Sequence, residues 1–141
     1  MDHIHVLMKT FIATFGVFCG YFLGGWDTTL KVLVIMVAID YLTGVLAAGF
    51  NGELKSKVGF KGIVKKVMLF LLVAAATQAD AIIGTNNAIR EETIFFFISN
   101  ELLSLLENAG EMGIPLPQAL TNAVEILGGK QKQEIKQGDV E

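Results

Sequence analysis

FFFISNELLSLLENAG, residues Phe95–Gly110, is the stretch on which the fold turns. Three phenylalanines open it and Ile98, Leu102, Leu103, Leu105 and Leu106 line it, yet Asn100, Glu101, Ser104, Glu107 and Asn108 interrupt it. At about 100° per residue those five polar side chains fall within an arc of about 120° on one side of a helix. The apolar residues take the remainder, with Ser99 as a small polar exception. The segment is therefore an amphipathic helix. It either spans a bilayer with its stripe turned toward something polar, or lies on the surface with its acids in water. An ionised carboxylate at mid-bilayer costs at least about 2.5–3.5 kcal/mol, so in a span such groups turn toward a bundle interior or water.

The rest of the chain favours the span. Of 141 residues, 52% are hydrophobic and 18% charged, and mean hydropathy is +0.55. A soluble single domain of this length has too small a core to hide that much apolar surface. An integral, all-α membrane protein is the expected class. The single cysteine, Cys19, rules out an internal disulfide framework.

Working back from Phe95, three further apolar runs are each about as long as a bilayer-crossing helix. They are residues 6–26, 30–50 and 65–84, and the opening segment makes a fourth span over 93–109. Lysines separate the second and third runs: Lys55, Lys57, Lys61, Lys65 and Lys66 form a basic loop. Lysine-rich loops stay in the cytoplasm, so the second span begins outside and the first inside. The tail carries Lys130, Lys132 and Lys136 and returns to the cytoplasm only if the fourth segment crosses. Four spans with both termini cytoplasmic satisfy these charges best. The basic loop fits anionic lipid head groups, each lysine contributing on the order of 1 kcal/mol. It lacks the interleaved aromatic and polar readers of a nucleic-acid surface.

Past Gly113, residues 116–128 read as a short cytoplasmic amphipathic helix opened by Pro117 and stopped by Gly128 and Gly129. The membrane domain is thus residues 1–129. The polar stretch 130–141 is expected to be disordered.

Asp40 stands at the centre of the second run and Asp80 in the outer half of the third. With the Phe95–Gly110 stripe they form a set of intramembrane polar residues that steers assembly or lines a path. The bland reading of both aspartates is a protonated or hydrogen-bonded packing residue. Four short helices offer little interior, so the stripe points to contacts between copies or a shared wet lumen. Gly16, Gly20 and Gly24 recur every fourth residue and allow close helix approach, as does Gly44 in the second span. His3 and His5 form an H-x-H pair in the N-terminal tail, with no partner at metal-ligand spacing. The chain has no H-E-x-x-H, no phosphate-binding glycine loop and no nucleophile with a plausible base, so neither a cofactor nor an enzyme is expected.

DYLTGVLAAGFNGELKSKVGFKGIVKK (residues 40–66), then Asp80, then ISNELLSLLENAGEMGIPLP (residues 98–117) follow one another in a recognisable order. The elements that carry it are D-x-x-T-G, L-x-S-x-x-G-x-x-G, the KK pair, N-E-x-x-S-x-x-E-N and G-x-P-x-P. Over residues 40–127 the chain resembles the toxin-secretion and phage-lysis holin family. The resemblance implies a small multi-pass protein of the bacterial inner membrane, encoded by a phage or prophage. It implies homo-oligomers that open lesions, depolarise the cell and release a cell-wall hydrolase (an endolysin) or, in some cases, a toxin. The alternatives are an antiholin, a non-lytic channel with Asp40 and Asp80 on its pathway, or an anchor that docks a partner on residues 116–128.

Overall fold

The computed structural model describes residues 2–123, 125 and 126. It is built of four long helices: α1 (Asp2–Phe22), α2 (Thr28–Phe50), α3 (Ser56–Ile83) and α4 (Ala88–Glu111), with no strand among the described residues. Residues 118–123, 125 and 126 are also helical, within the amphipathic helix expected over 116–128. The end of that helix and the tail at 130–141 lie outside the described residues.

The helix ends explain the connections. Asp27 caps α2, its carboxylate accepting from Leu30 N at 3.0 Å and from the Thr29 hydroxyl at 3.1 Å. Gly84 ends α3 in the left-handed region at φ 81°, and Asn86 and Asn87 follow at φ 50° and 67°, which asparagine tolerates better than most residues. Gly113 closes α4 at φ 75°, where Ile114 N donates to Ala109 O at 3.1 Å in a Schellman arrangement.

The helix bounds differ from the expected spans where charge misled the reading. α3 begins at Ser56, nine residues before the span expected at 65–84, so four of the five loop lysines lie on a helix. Apolar Val58, Phe60, Ile63 and Val64 between them sustain helix, and a lysine costs little helix propensity. α1 ends at Phe22, so residues 23–26 of the first expected span form a turn.

α4 is the central helix: it packs along both α2 and α3, which scarcely touch each other. Leu23, Leu30, Leu33, Leu69, Val73 and Ile94 form a small core, with Cys19, Val37, Phe70, Ala74, Phe97 and Ile98 against it. α1 joins this core by its C-terminal end and otherwise stands clear of the bundle. Large apolar side chains lie mostly outside: Phe11 is 71% exposed, Tyr21 78% and Ile82 86%. Charged and polar Asp40, Asp80, Arg90, Ser99 and Glu101 lie inside. Single exposed apolar residues need no explanation, but a whole surface of them does. Two helices, α1 and α2, are by themselves long and apolar enough to cross a membrane.

Candidate functional site

The interior polar residues gather into two nodes, one at each end of the bundle. At the end where α3 begins, Lys66 reaches inward from α3 and places its ammonium 2.5 Å from Asp40 on α2 and 2.5 Å from Glu101 on α4. Asn108, two turns further along α4, donates to the Asp40 carboxylate and to the Thr43 hydroxyl, both at 3.0 Å. Thr43 donates back to the α2 carbonyls of Ile39 and Asp40. One ammonium shared by two carboxylates holds three helices at one depth. In a low-dielectric interior such a group persists only with its polar atoms partnered, and no buried side-chain N or O atom among the described residues lacks a hydrogen bond.

Beside this node a cleft of about 770 Å³ opens among α2, α3 and α4, with Asp40, Lys65, Lys66, Ser104 and Asn108 on its wall. Tyr41 also lines it and lies against α3 beside Gly59 and Gly62. Gly44 faces the Asn108 amide across the α2–α4 contact.

At the opposite end Asp80 caps a helix other than its own. Its carboxylate accepts from Ile89 N at 2.9 Å and Arg90 N at 2.8 Å, two of the free donors at the start of α4, and from the Thr85 hydroxyl. The α4 N-cap residue, Asn87, makes no side-chain cap bond, which leaves that role to Asp80. The Arg90 side chain, 1% exposed, then runs back to the α1–α2 turn. It donates to Leu23 O at 2.5 Å, to Gly25 O at 2.9 Å and to the Asp27 carboxylate at 2.7 and 3.1 Å. The guanidinium holds the Asp27 carboxyl at about 2, well below the usual carboxylate range, against the opposing effect of burial.

Two sequence expectations change here. The sequence has the whole stripe on α4 meeting other copies or a shared wet lumen. Its inner edge, Glu101 and Asn108, instead finds Asp40, Lys66 and Thr43 within the chain, and Ser104 borders the cleft. Its outer edge keeps that expectation open: Glu107 is exposed and Asn100 half-buried. The glycine groove on α1 is divided. Gly20 faces the Trp26 indole, whose Nε1 donates to Gly16 O at 2.9 Å, and Gly24 lies in the turn at φ 85° against Arg90. A side chain at Gly20 or Gly24 would meet those groups at 2.6 Å.

Sequence reasoning passed over Arg90, Asp27 and Trp26, and placed Lys66 in a surface loop. One signal could have found the first two: the chain has a single arginine, and Asp27 stands at the next turn on the same side of the expected membrane.

A polar interior inside an apolar exterior is the plan of a membrane bundle, and the comparisons agree. The sequence pattern of the bacteriophage holin family matches residues 17–129, which contain both nodes. The chain belongs to the bacteriophage holin family. A probable holin of Bacillus phage phi105 is 31% identical over 110 residues, 78% of this chain and 82% of that protein. An uncharacterized protein of Listeria monocytogenes is 44% identical over 136 residues, 96% of this chain and 97% of its relative. A 14.9 kDa protein of Clostridium perfringens is 32% identical, covering 92% of this chain and 99% of its own length. No solved structure matches. The family and the two apolar helices mark this holin-family chain as a membrane protein, and none of these relatives is named as an enzyme.

Proposed function

We propose that this chain is a lytic holin. It gathers with copies of itself in the bacterial cytoplasmic membrane and opens lesions that depolarise the cell and release an endolysin or, in a toxin-secreting host, a toxin. All four helices cross, and both termini face the cytoplasm. The exposed lysines at the start of α3 then sit at the cytoplasmic surface, where they meet anionic lipid.

The observation that carries the reading is the division of the α4 stripe. The inner edge is satisfied within the chain, so a single copy is tolerable in lipid. The outer edge, Asn100 and Glu107, has no side-chain hydrogen bond or ion pair among the described residues. A copy that is stable alone yet carries unpartnered polar groups on its outer side changes state with density: dispersed when dilute, assembled when crowded. Assembly gives the outer edge a neighbour, and a large assembly gives it water.

Inducible expression in a bacterium, with and without a co-expressed cytoplasmic cell-wall hydrolase, tests this directly. Expression alone should stop growth abruptly and collapse the membrane potential, read by a potential-sensitive dye, while lysis should require both proteins. Expression that leaves the potential intact and delays another holin's lysis would instead identify an antiholin. No effect of either kind would overturn the lytic reading.

A further inference from the structure

The two antiparallel helices α3 and α4 carry charges that match in depth but do not meet within the chain. Lys57 and Lys61 are exposed on α3, one turn apart; Glu107 and Glu111 are exposed on α4, one turn apart. The Lys66–Glu101 bridge fixes the register between the helices. From it, Lys61 lies five residues toward the lysine end and Glu107 six residues toward the same end. Lys57 lies nine and Glu111 ten. At about 1.5 Å per residue each lysine is level with its glutamate to within about 1.5 Å. The Asp80 cap at the far end holds the same antiparallel pairing, so the register is set twice. None of these four side chains has an ion-pair partner among the described residues.

Asn100, Ser104, Glu107 and Glu111 are spaced by four, three and four residues, the spacing of a seam along one helix face, whose inner side, Ser104 and Glu111, also borders the chain's own cleft. The lysines recur at four-residue steps on α3. Copies inserted in the same orientation present both stripes at one height above the membrane plane, whatever their separation.

We propose that the α4 outer edge of one copy docks on the α3 lysine stripe of the next, pairing Glu107 with Lys61 and Glu111 with Lys57. This rests on the assembly reading above and names its contact. The interface is heterologous, because two different faces of the chain meet. Each bound copy therefore presents a free acidic stripe on one side and a free basic stripe on the other. Such contacts close into rings when the rotation allows, and otherwise continue without a fixed copy number. A dimer that stops at two is not expected. Asn100, deeper along the same seam, is covered as the pairs form.

The test uses the full chain in vesicles of its host membrane lipids. A carbodiimide joins a lysine directly to a carboxylate that touches it, and mass spectrometry reads the joined peptides. In bands of dimer size and above, Lys61 joined to Glu107 and Lys57 joined to Glu111 are the expected products. Reversing the acids alone (Glu107→Lys with Glu111→Lys), or the lysines alone (Lys57→Glu with Lys61→Glu), should reduce the ladder at least about fivefold. The combined reversal should restore it. A ladder joined at other positions and indifferent to these reversals overturns this interface while leaving assembly and lysis intact. Loss with the lysine reversal that the combined variant does not repair assigns the lysines to anionic lipid and also overturns it. A chain that stays solitary at every density overturns the assembly reading itself.

Discussion

The two polar nodes use similar charges for different work. At the lysine end, Asp40, Lys66, Glu101, Asn108 and Thr43 are joined largely side chain to side chain, each on a helix whose own backbone is already satisfied. At the other end, Asp80 and Arg90 serve backbone: the free N–H groups of α4 and the carbonyls of the α1–α2 turn. The first node sets how three helices sit in depth; the second sets where helices stop. A node made of side chains can in principle be replaced by apolar packing, whereas a node that satisfies helix ends leaves orphans whatever replaces it.

The sharpest way to separate them is Lys66→Met. Removing the shared ammonium leaves two carboxylates facing each other inside the bundle, and breaking a buried charge pair by removing one partner costs about 3–5 kcal/mol. Unfolding in detergent, followed by helical circular dichroism, should show a loss of that order. Replacing all three charges together (Lys66→Met, Asp40→Leu, Glu101→Leu) should recover most of it, because apolar side chains of similar volume commonly match a buried ionic group in stability. A triple variant as unstable as the single one would mean that the node does more than hold depth.

Asp80→Ala should not be rescued in that way. It strips the acceptor from Ile89 N and Arg90 N at the start of α4, and the loss is on the order of 2 kcal/mol, combining a lost cap with unmet donors. Hydrogen exchange should rise first at residues 88–91, and adding Arg90→Leu should deepen the loss by freeing the carbonyls of Leu23 and Gly25. Uniform exchange along α4 would contradict the capping role.

This contrast also marks how far the sequence could be read. Helix number, the apolar exterior and the polar arc on α4 follow from hydropathy and a 100° periodicity, which depend only on local residue order. Which edge of the arc faces inward does not, since it depends on how α2 and α3 flank α4. Five lysines crowded into residues 55–66 read as a loop, yet the chain is helical from Ser56 and Tyr41 packs against it at Gly59 and Gly62. Gly20 and Gly24 fitted a helix-packing spacing, but the chain turns after Phe22 and both positions face side chains from beyond the turn. Arg90 lay among acids in a connecting segment, and nothing in its neighbours shows a partner more than sixty residues away.

The smallest expected effect distinguishes the exposed from the buried part of the second node. Asp27 is held at about 2 by Arg90, below its ordinary value of 3.8. A carboxyl with a depressed value in the folded state adds stability above its ordinary value, and this is lost as pH falls through the folded one. The window is therefore from about pH 4 down to about pH 2. The Asp27 side chain is 46% exposed, so water screens the pair and its contribution is at most about 1 kcal/mol. Asp27→Asn should thus cost little near neutrality and make the variant less sensitive to acid than the native chain over that window. Other carboxylates titrate in both proteins, so the difference between the two stability curves, followed in detergent from pH 5 to pH 2, isolates Asp27. Parallel curves would show that Arg90 is held by the carbonyls of Leu23 and Gly25 alone, making the second node a matter of backbone entirely.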